Sequence, residues 1–284
     1  MARLFPIAQQ APCRPAEPGG ASLPSVASSV EWKRWGRDDP LWAAASWLDK
    51  QKDGASPWTE EEFYALGESD WHDFFAQWRQ YGLSTESCLE IGCGPGRITR
   101  SLARCFDRVC AVDVSADMIA YARKGVAAPN TTFMMMDGVA LPLPDCSVKA
   151  IFSTHVLQHL DSVEAGLAYF QEFYRVLEEN GTIFVHLPLY QFPAEHRAIG
   201  RLFNATWTMS RCVGRLRAQV KRRLLLKTMR DTPYPLSVLY SFLTGLGFDK
   251  LEFRVFPVSS NRDLHPFVLA TKQNGSTATD SLCR

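Results

Sequence analysis

The sequence predicts an α/β fold built on a mostly parallel sheet, covered by helices on both faces and finished at one edge by an antiparallel pair. Three observations predict it. From Cys88 onward, short apolar runs alternate with amphipathic stretches at the spacing of strand–helix units. A glycine-rich bend, Gly92-Cys93-Gly94-Pro95-Gly96, joins the first run to a helical pattern. The last two apolar runs have only a short polar stretch between them, which suits a hairpin rather than a crossover.

Residues 1–30 are rich in Pro, Ala, Ser and Gly and have little to bury, so a disordered tail is expected. They lack the compact apolar stretch of a secretory signal. Arg3 and Arg14 precede the first acid, Glu17, a faint transit-peptide character that the prolines at 6, 12, 15, 18 and 24 oppose. Residues 31–85 are expected to form a helical extension or lid. They hold seven of the eight tryptophans: Trp32, Trp35, Trp42, Trp47, Trp58, Trp71 and Trp78. Thr59 with Glu62 has the spacing of a capping box, so a helix starts there. A second helix is expected over Asp70 to Tyr81.

The core is expected over residues 86–190. Strands are placed at Cys88–Ile91, Arg108–Asp113, Thr132–Met136, Val148–Ser153 and Gly181–Leu187, the last after an Asn180-Gly181 turn. Helices are placed at Arg97–Cys105, Ala116–Lys124 and Val163–Leu177. A basic helical insertion over 191–235 interrupts the alternation. Residues 236–272 then complete the core with a helix at Leu236–Leu246 and strands at Lys250–Val258 and His265–Lys272. A second tail is expected over 273–284.

The chain of 284 residues can bury one large core, and its formal net charge of +1 gives no global pull toward nucleic acid or membrane. No window offers the roughly 18 apolar residues that crossing a bilayer requires. The eight cysteines form no CxxC pair, which predicts free thiols in a reducing compartment and a cytoplasmic location.

The chemistry is expected at the glycine bend. A dinucleotide fingerprint would need glycine where Arg97 stands, and a P-loop would need Gly-Lys-Ser/Thr, so neither pyrophosphate motif fits. The spacing is G-x-G-x-G, preceded by Glu90. That carboxylate would repel a phosphate and suits a cationic amine. Asp113 ends the second strand near the offset expected for a carboxylate on ribose hydroxyls. Asp137 ends the third, where it could accept from an adenine amino group.

On these residues the chain resembles the class I SAM-dependent methyltransferases of small-molecule type, where SAM is S-adenosylmethionine. Glu90, Gly92, Gly94 and Gly96 are similar to the family's first motif. Asp113 matches its ribose-binding acid, and Asp137-Gly138 with Val139 its adenine motif. Phe152 to Leu160 is similar to its fourth-strand motif, whose start lines the methionine end of SAM. The Trp-rich stretch looks like the N-terminal extension of a bacterial subgroup. The resemblance implies a Rossmann-like sheet of seven strands with a reversed last strand. It implies SAM as cofactor, held by the residues above together with Cys93, Val114, Met118, Thr154 and His155.

The acceptor does not follow from these motifs. O- or N-methylation of a small molecule is the leading expectation. An RNA methyltransferase or a non-catalytic SAM-binding protein is the alternative. If the acceptor must lose a proton, His159 and His186 are the candidate bases, since imidazole titrates near neutrality. No His/Cys/Asp group has metal-ligand spacing, so metal-independent chemistry is expected. Tyr64, Trp71 and Trp78 either cover the pocket or form a helical core. From Arg201 to Arg230 there are nine Lys/Arg residues and no acid, with apolar residues at helical spacing. Such a face suits an acidic or lipid-like acceptor or peripheral membrane contact. Nothing resembles an aromatic-rich nucleic-acid module.

Overall fold

The computed structural model describes residues 28–191 and 231–273. The expected tails and the basic stretch of the insertion lie almost entirely outside the described residues.

The chain opens with α1 (Ser28–Asp38), α2 (Pro40–Ala44) and α3 (Glu60–Tyr81). Helix α1 begins within the stretch expected to be tail. In α2, Asp39 caps the Trp42 N–H and Pro40 occupies the first turn, where no donor is needed. The expected capping box is formed: the Thr59 hydroxyl accepts from the Glu62 N–H, and Glu62 accepts from the Thr59 N–H. The two helices expected from Thr59 to Tyr81 are one helix of 22 residues. Gly67 does not break it. A Cβ there would lie 2.2 Å from the Arg97 carbonyl oxygen, so this glycine lets α3 lie directly on the glycine bend.

The core follows as β1 (Ser87–Ile91), α4 (Thr99–Cys105), β2 (Arg108–Asp113), α5 (Ala116–Gly125), β3 (Thr131–Met135), β4 (Val148–Ser153), α6 (Val163–Val176) and β5 (Leu177–His186). Two short strands, β6 (Leu189–Tyr190) and β7 (Tyr234–Pro235), pair with each other. Helix α7 (Leu236–Leu246), β8 (Phe248–Pro257) and β9 (Leu264–Lys272) complete it. The main sheet has seven strands in the order β3-β2-β1-β4-β5-β9-β8. The reversed strand is β9, one in from the edge, antiparallel to both β5 and β8.

Side chains alternate between the two faces of the sheet, as strand geometry requires. Leu89, Ile91, Ile151, Ile183, Val185 and Val268 face Phe170, Phe173 and Val176 of α6 and Leu239 and Leu243 of α7. Cys88, Ala150, Phe152, Phe184, Phe267 and Leu269 face the other way, onto Trp71, Phe74 and Trp78 of α3 and Leu102 of α4. The tryptophans of α3 are therefore core rather than cover. Trp78 stacks on Phe184 at 5.5 Å and 17°, and its indole donates to Thr182 Oγ1 at 3.0 Å.

Cys88, Cys93, Cys105 and Cys110 are free, as expected. Cys146 departs from that expectation and is disulfide-bonded.

Candidate functional site

Strands β1, β2 and β4 end side by side, and beyond their carboxyl ends lies a cavity of about 430 Å³. This is the crevice where open α/β sheets bind ligands. The glycine bend forms its floor. Gly92, with φ +70, packs under Val156, where a Cβ would come within 2.2 Å of Val156 Cγ2. Gly94, with φ +53, has open space instead, its nearest neighbour being Ala44 Cβ at 3.7 Å from a built Cβ. The bare backbone at Gly94 is therefore what a ligand would meet.

Asp113 fastens this bend. One carboxylate oxygen accepts from the Gly94 N–H at 2.9 Å and the other from the Ser115 N–H at 2.8 Å. The carboxylate keeps lone-pair capacity for a ligand hydroxyl. Burial raises the Asp113 pKa, and the Ser115, Gly94 and Val114 N–H groups oppose the rise. Glu90 is buried on β1 and accepts from Thr99 Oγ1 at 2.6 Å. Burial pushes it up to about 7, against the pull of Thr99 and Arg97 and with the Asp113 charge adding to the rise. Thr154 Oγ1 is buried on the same wall without a partner.

The far wall is different. Asp70 and Phe74 of α3, Arg97, His155, Gln158, His159, Asn261 and His265 line it. Arg97 Nη1 donates to the Asp70 carboxylate, and both side chains are buried. His159 lies against the Trp32 ring at 5.0 Å, with its Nε2 3.3 Å from Gln158 Nε2. Burial, with Arg97 adding to it, holds His155 down at about 3. His186 is lowered by burial and the neighbouring imidazoles, and burial also lowers His265.

Residues 89–185 match a family model described as a methyltransferase domain. That match covers the bend, both carboxylates and the wall at Thr154 and His155.

Residues 89–185 carry a methyltransferase domain.

Curated relatives of the methyltransferase domain include malonyl-[acyl-carrier protein] O-methyltransferases. The Yersinia pestis protein is 36% identical over 95 residues, which is 34% of this chain and 34% of that protein. The Hahella chejuensis protein is 34% identical over 107 residues, 36% of this chain and 37% of that one. The chain thus spans about a third of the length of these relatives. Among solved structures, a Haemonchus contortus phosphoethanolamine N-methyltransferase 1, complexed with phosphoethanolamine and S-adenosylhomocysteine, superposes with a TM-score of 0.57. It is 15% identical and covers 88% of this chain and 49% of its own. A chain from the complex of the Haloferax volcanii Trm112 methyltransferase activator with a methyltransferase gives 0.51 at 13% identity, covering 76% of this chain and 94% of its own. These two likenesses concern the fold.

SAM is the cofactor of the methyltransferase domain, and the donor set fits it. The unpartnered Thr154 hydroxyl, the open backbone at Gly94 and two buried carboxylates await polar and cationic groups rather than a phosphate. Of the expected SAM residues, Glu90, Gly92, Cys93, Gly94, Asp113, Val114, Met118, Thr154 and His155 line the cavity. Gly96 does not. A Cβ there would lie 2.7 Å from Val126 Cγ2, so it serves packing of the bend against α5. Asp137, Gly138 and Val139 are also absent from the lining. The Asp137 side chain is exposed and pairs with Lys33 of α1 at 3.6 Å, while the Gly138 carbonyl accepts from the Tyr169 hydroxyl.

Of the two candidate bases, His159 reaches the wall and His186 lies behind it. Tyr64, Trp71 and Trp78 are not in the lining either; the Tyr64 hydroxyl instead donates to the Pro95 carbonyl at 3.1 Å. Sequence reasoning missed Asp70, Phe74 and His265. The first two share a helix face with core residues, and His265 opens a strand far along the chain.

The raised pKa of Glu90 has a measurable consequence. Its folded value of about 7 exceeds the ordinary 4.5, so the folded state binds more protons in between. Ligand-free stability should therefore fall as pH rises from 4.5 to 7, by at most on the order of 3 kcal/mol from this group. In Glu90→Gln that slope should flatten, as denaturant melts at pH 5 and pH 7.5 would show. An unchanged slope would mean that another group sets it.

Proposed function

We propose that this chain transfers the SAM methyl group to an oxygen or nitrogen of a small-molecule acceptor bound against Arg97, Gln158, His159 and Asn261. One observation carries the reading: a single cavity joins the carboxylate-lined wall to this guanidinium- and imidazole-lined wall. The O-methylation for which the relatives are named favours oxygen.

Bound SAM would supply a methyl group on a sulfonium, with its leaving group already activated. The protein's own work is then to hold, orient and exclude water. Glu90 would face the ammonium group and Asp113 the ribose hydroxyls. Arg97, fixed by Asp70, would orient an anionic acceptor. A carboxylate acceptor arrives deprotonated and needs no base. A hydroxyl acceptor would need one, and His159 is the expected base that reaches the wall. A cytoplasmic setting is part of this reading, supported by the free Cys88, Cys93, Cys105 and Cys110 and opposed by the disulfide at Cys146. Among the described residues no helix is long and apolar enough to cross a membrane.

The test uses the full chain, methyl-labelled SAM, and panels of carboxylic acids and their thioesters, hydroxyl compounds and amines. Label should enter at least one small-molecule panel with stoichiometric release of S-adenosylhomocysteine. Label entering RNA but none of these panels would overturn the small-molecule reading. SAM binding with no transfer to any of them would leave a binding protein and sink the catalytic one.

A further inference from the structure

Three histidines from distant parts of the chain meet at the carboxyl end of the sheet. His155 follows β4, His186 closes β5 and His265 lies at the start of β9. Their potential ligand nitrogens all lie within 4.8 Å of one another. The rings are tilted, with His155 4.4 Å from His186 and 5.2 Å from His265, and His186 5.4 Å from His265.

As an ordinary core residue His186 is poorly served. Buried polar atoms are nearly always hydrogen-bonded, yet His186 Nδ1 is buried with no partner in a residue only 5% exposed. His155 is held with φ +55, a backbone region that non-glycine residues occupy where the surroundings dictate it. The Asn261 side-chain amide steadies His265 through its Nε2 at 3.3 Å.

We propose that His155, His186 and His265 form a binding site for one divalent transition-metal ion of the zinc class, with an open position toward the cavity. Imidazole suits this class of ion, and three protein ligands with one position left over is the arrangement of catalytic rather than structural zinc. Bonds of about 2.0–2.1 Å in a tetrahedron put ligand nitrogens about 3.4 Å apart. The observed spread of up to 4.8 Å closes by side-chain rotation of His155 and His265, both only partly buried. Those two line the cavity, so the open position faces the cavity. The nearby Arg97 cation is offset by its ion pair with Asp70, whose Oδ1 is itself buried and unpartnered. The site stands whether or not methyl transfer is the activity.

The full chain, stripped with chelator and dialysed, would be titrated with Co²⁺ alone by absorption and calorimetry. One equivalent should bind, show the ligand-field bands of a nitrogen-bound ion and be displaced by Zn²⁺. His265→Ala should weaken binding at least about tenfold, since even partners of metal ligands cost that much. His72→Ala, at an exposed position on α3, should not change it. Circular dichroism would confirm the fold, with His265→Gln replacing the alanine variant if that fails to fold. SAM calorimetry on the stripped protein reads the cofactor site separately. Absence of Co²⁺ binding, or a folded His265 variant with unchanged stoichiometry and affinity, would overturn the site.

Discussion

Trp78→Ala is expected to lower stability by about 3–5 kcal/mol, the cost of deleting a large buried aromatic. A typical domain has only about 5–15 kcal/mol to lose, so much of the protein would unfold in mild denaturant. The indole is fully buried between α3 and the sheet, stacked on Phe184 and 6.0 Å from Phe152. Truncation opens a void among close-packed rings and strips Thr182 Oγ1 of its donor. Trp47→Ala, at a tryptophan 39% exposed, should cost far less. Equilibrium denaturation of both variants gives the comparison. Equal, small losses would mean that α3 rests on the core without belonging to it.

Asp113→Ala should weaken SAM binding about 10- to 150-fold, corresponding to about 1.5–3 kcal/mol for charge-assisted hydrogen bonds. The effect has two sources. The carboxylate faces the cavity, where it would accept from ribose hydroxyls, and it also ties down the Gly94 and Ser115 N–H groups that shape the bend. Calorimetry with SAM and with S-adenosylhomocysteine should show parallel losses, because both carry the ribose. Undiminished affinity in a folded variant would remove Asp113 from the cofactor site.

Much of the sheet was legible because its code is local. Strands β1, β2 and β4 announce themselves by apolar runs bounded by turn residues, and the reversed β9 by the short stretch that follows β8. The bend and its carboxylates were legible because a backbone approach leaves glycines and acids at fixed offsets. Other features depend on where distant segments land. The packing role of Gly67 shows only when the Arg97 carbonyl is seen against it. Asp137 has the right offset for a ligand contact, yet its exposed side chain turns to Lys33, which no spacing rule anticipates. The His155, His186 and His265 grouping requires strand order, since neighbours in the sheet are not neighbours in the chain. Helix α1 was obscured by the proline-rich composition just before it.

Because β9 runs against its neighbours, the turn between β8 and β9 returns to the mouth of the crevice. Val258, Ser260 and Asn261 of that turn line the cavity alongside His265, all far in sequence from the glycine bend. Under the proposed reading, choice of acceptor is thereby uncoupled from retention of the methyl donor. A handful of exchanges in one hairpin could redirect this scaffold to a new compound, and a library confined to residues 258–263 would be the economical place to look.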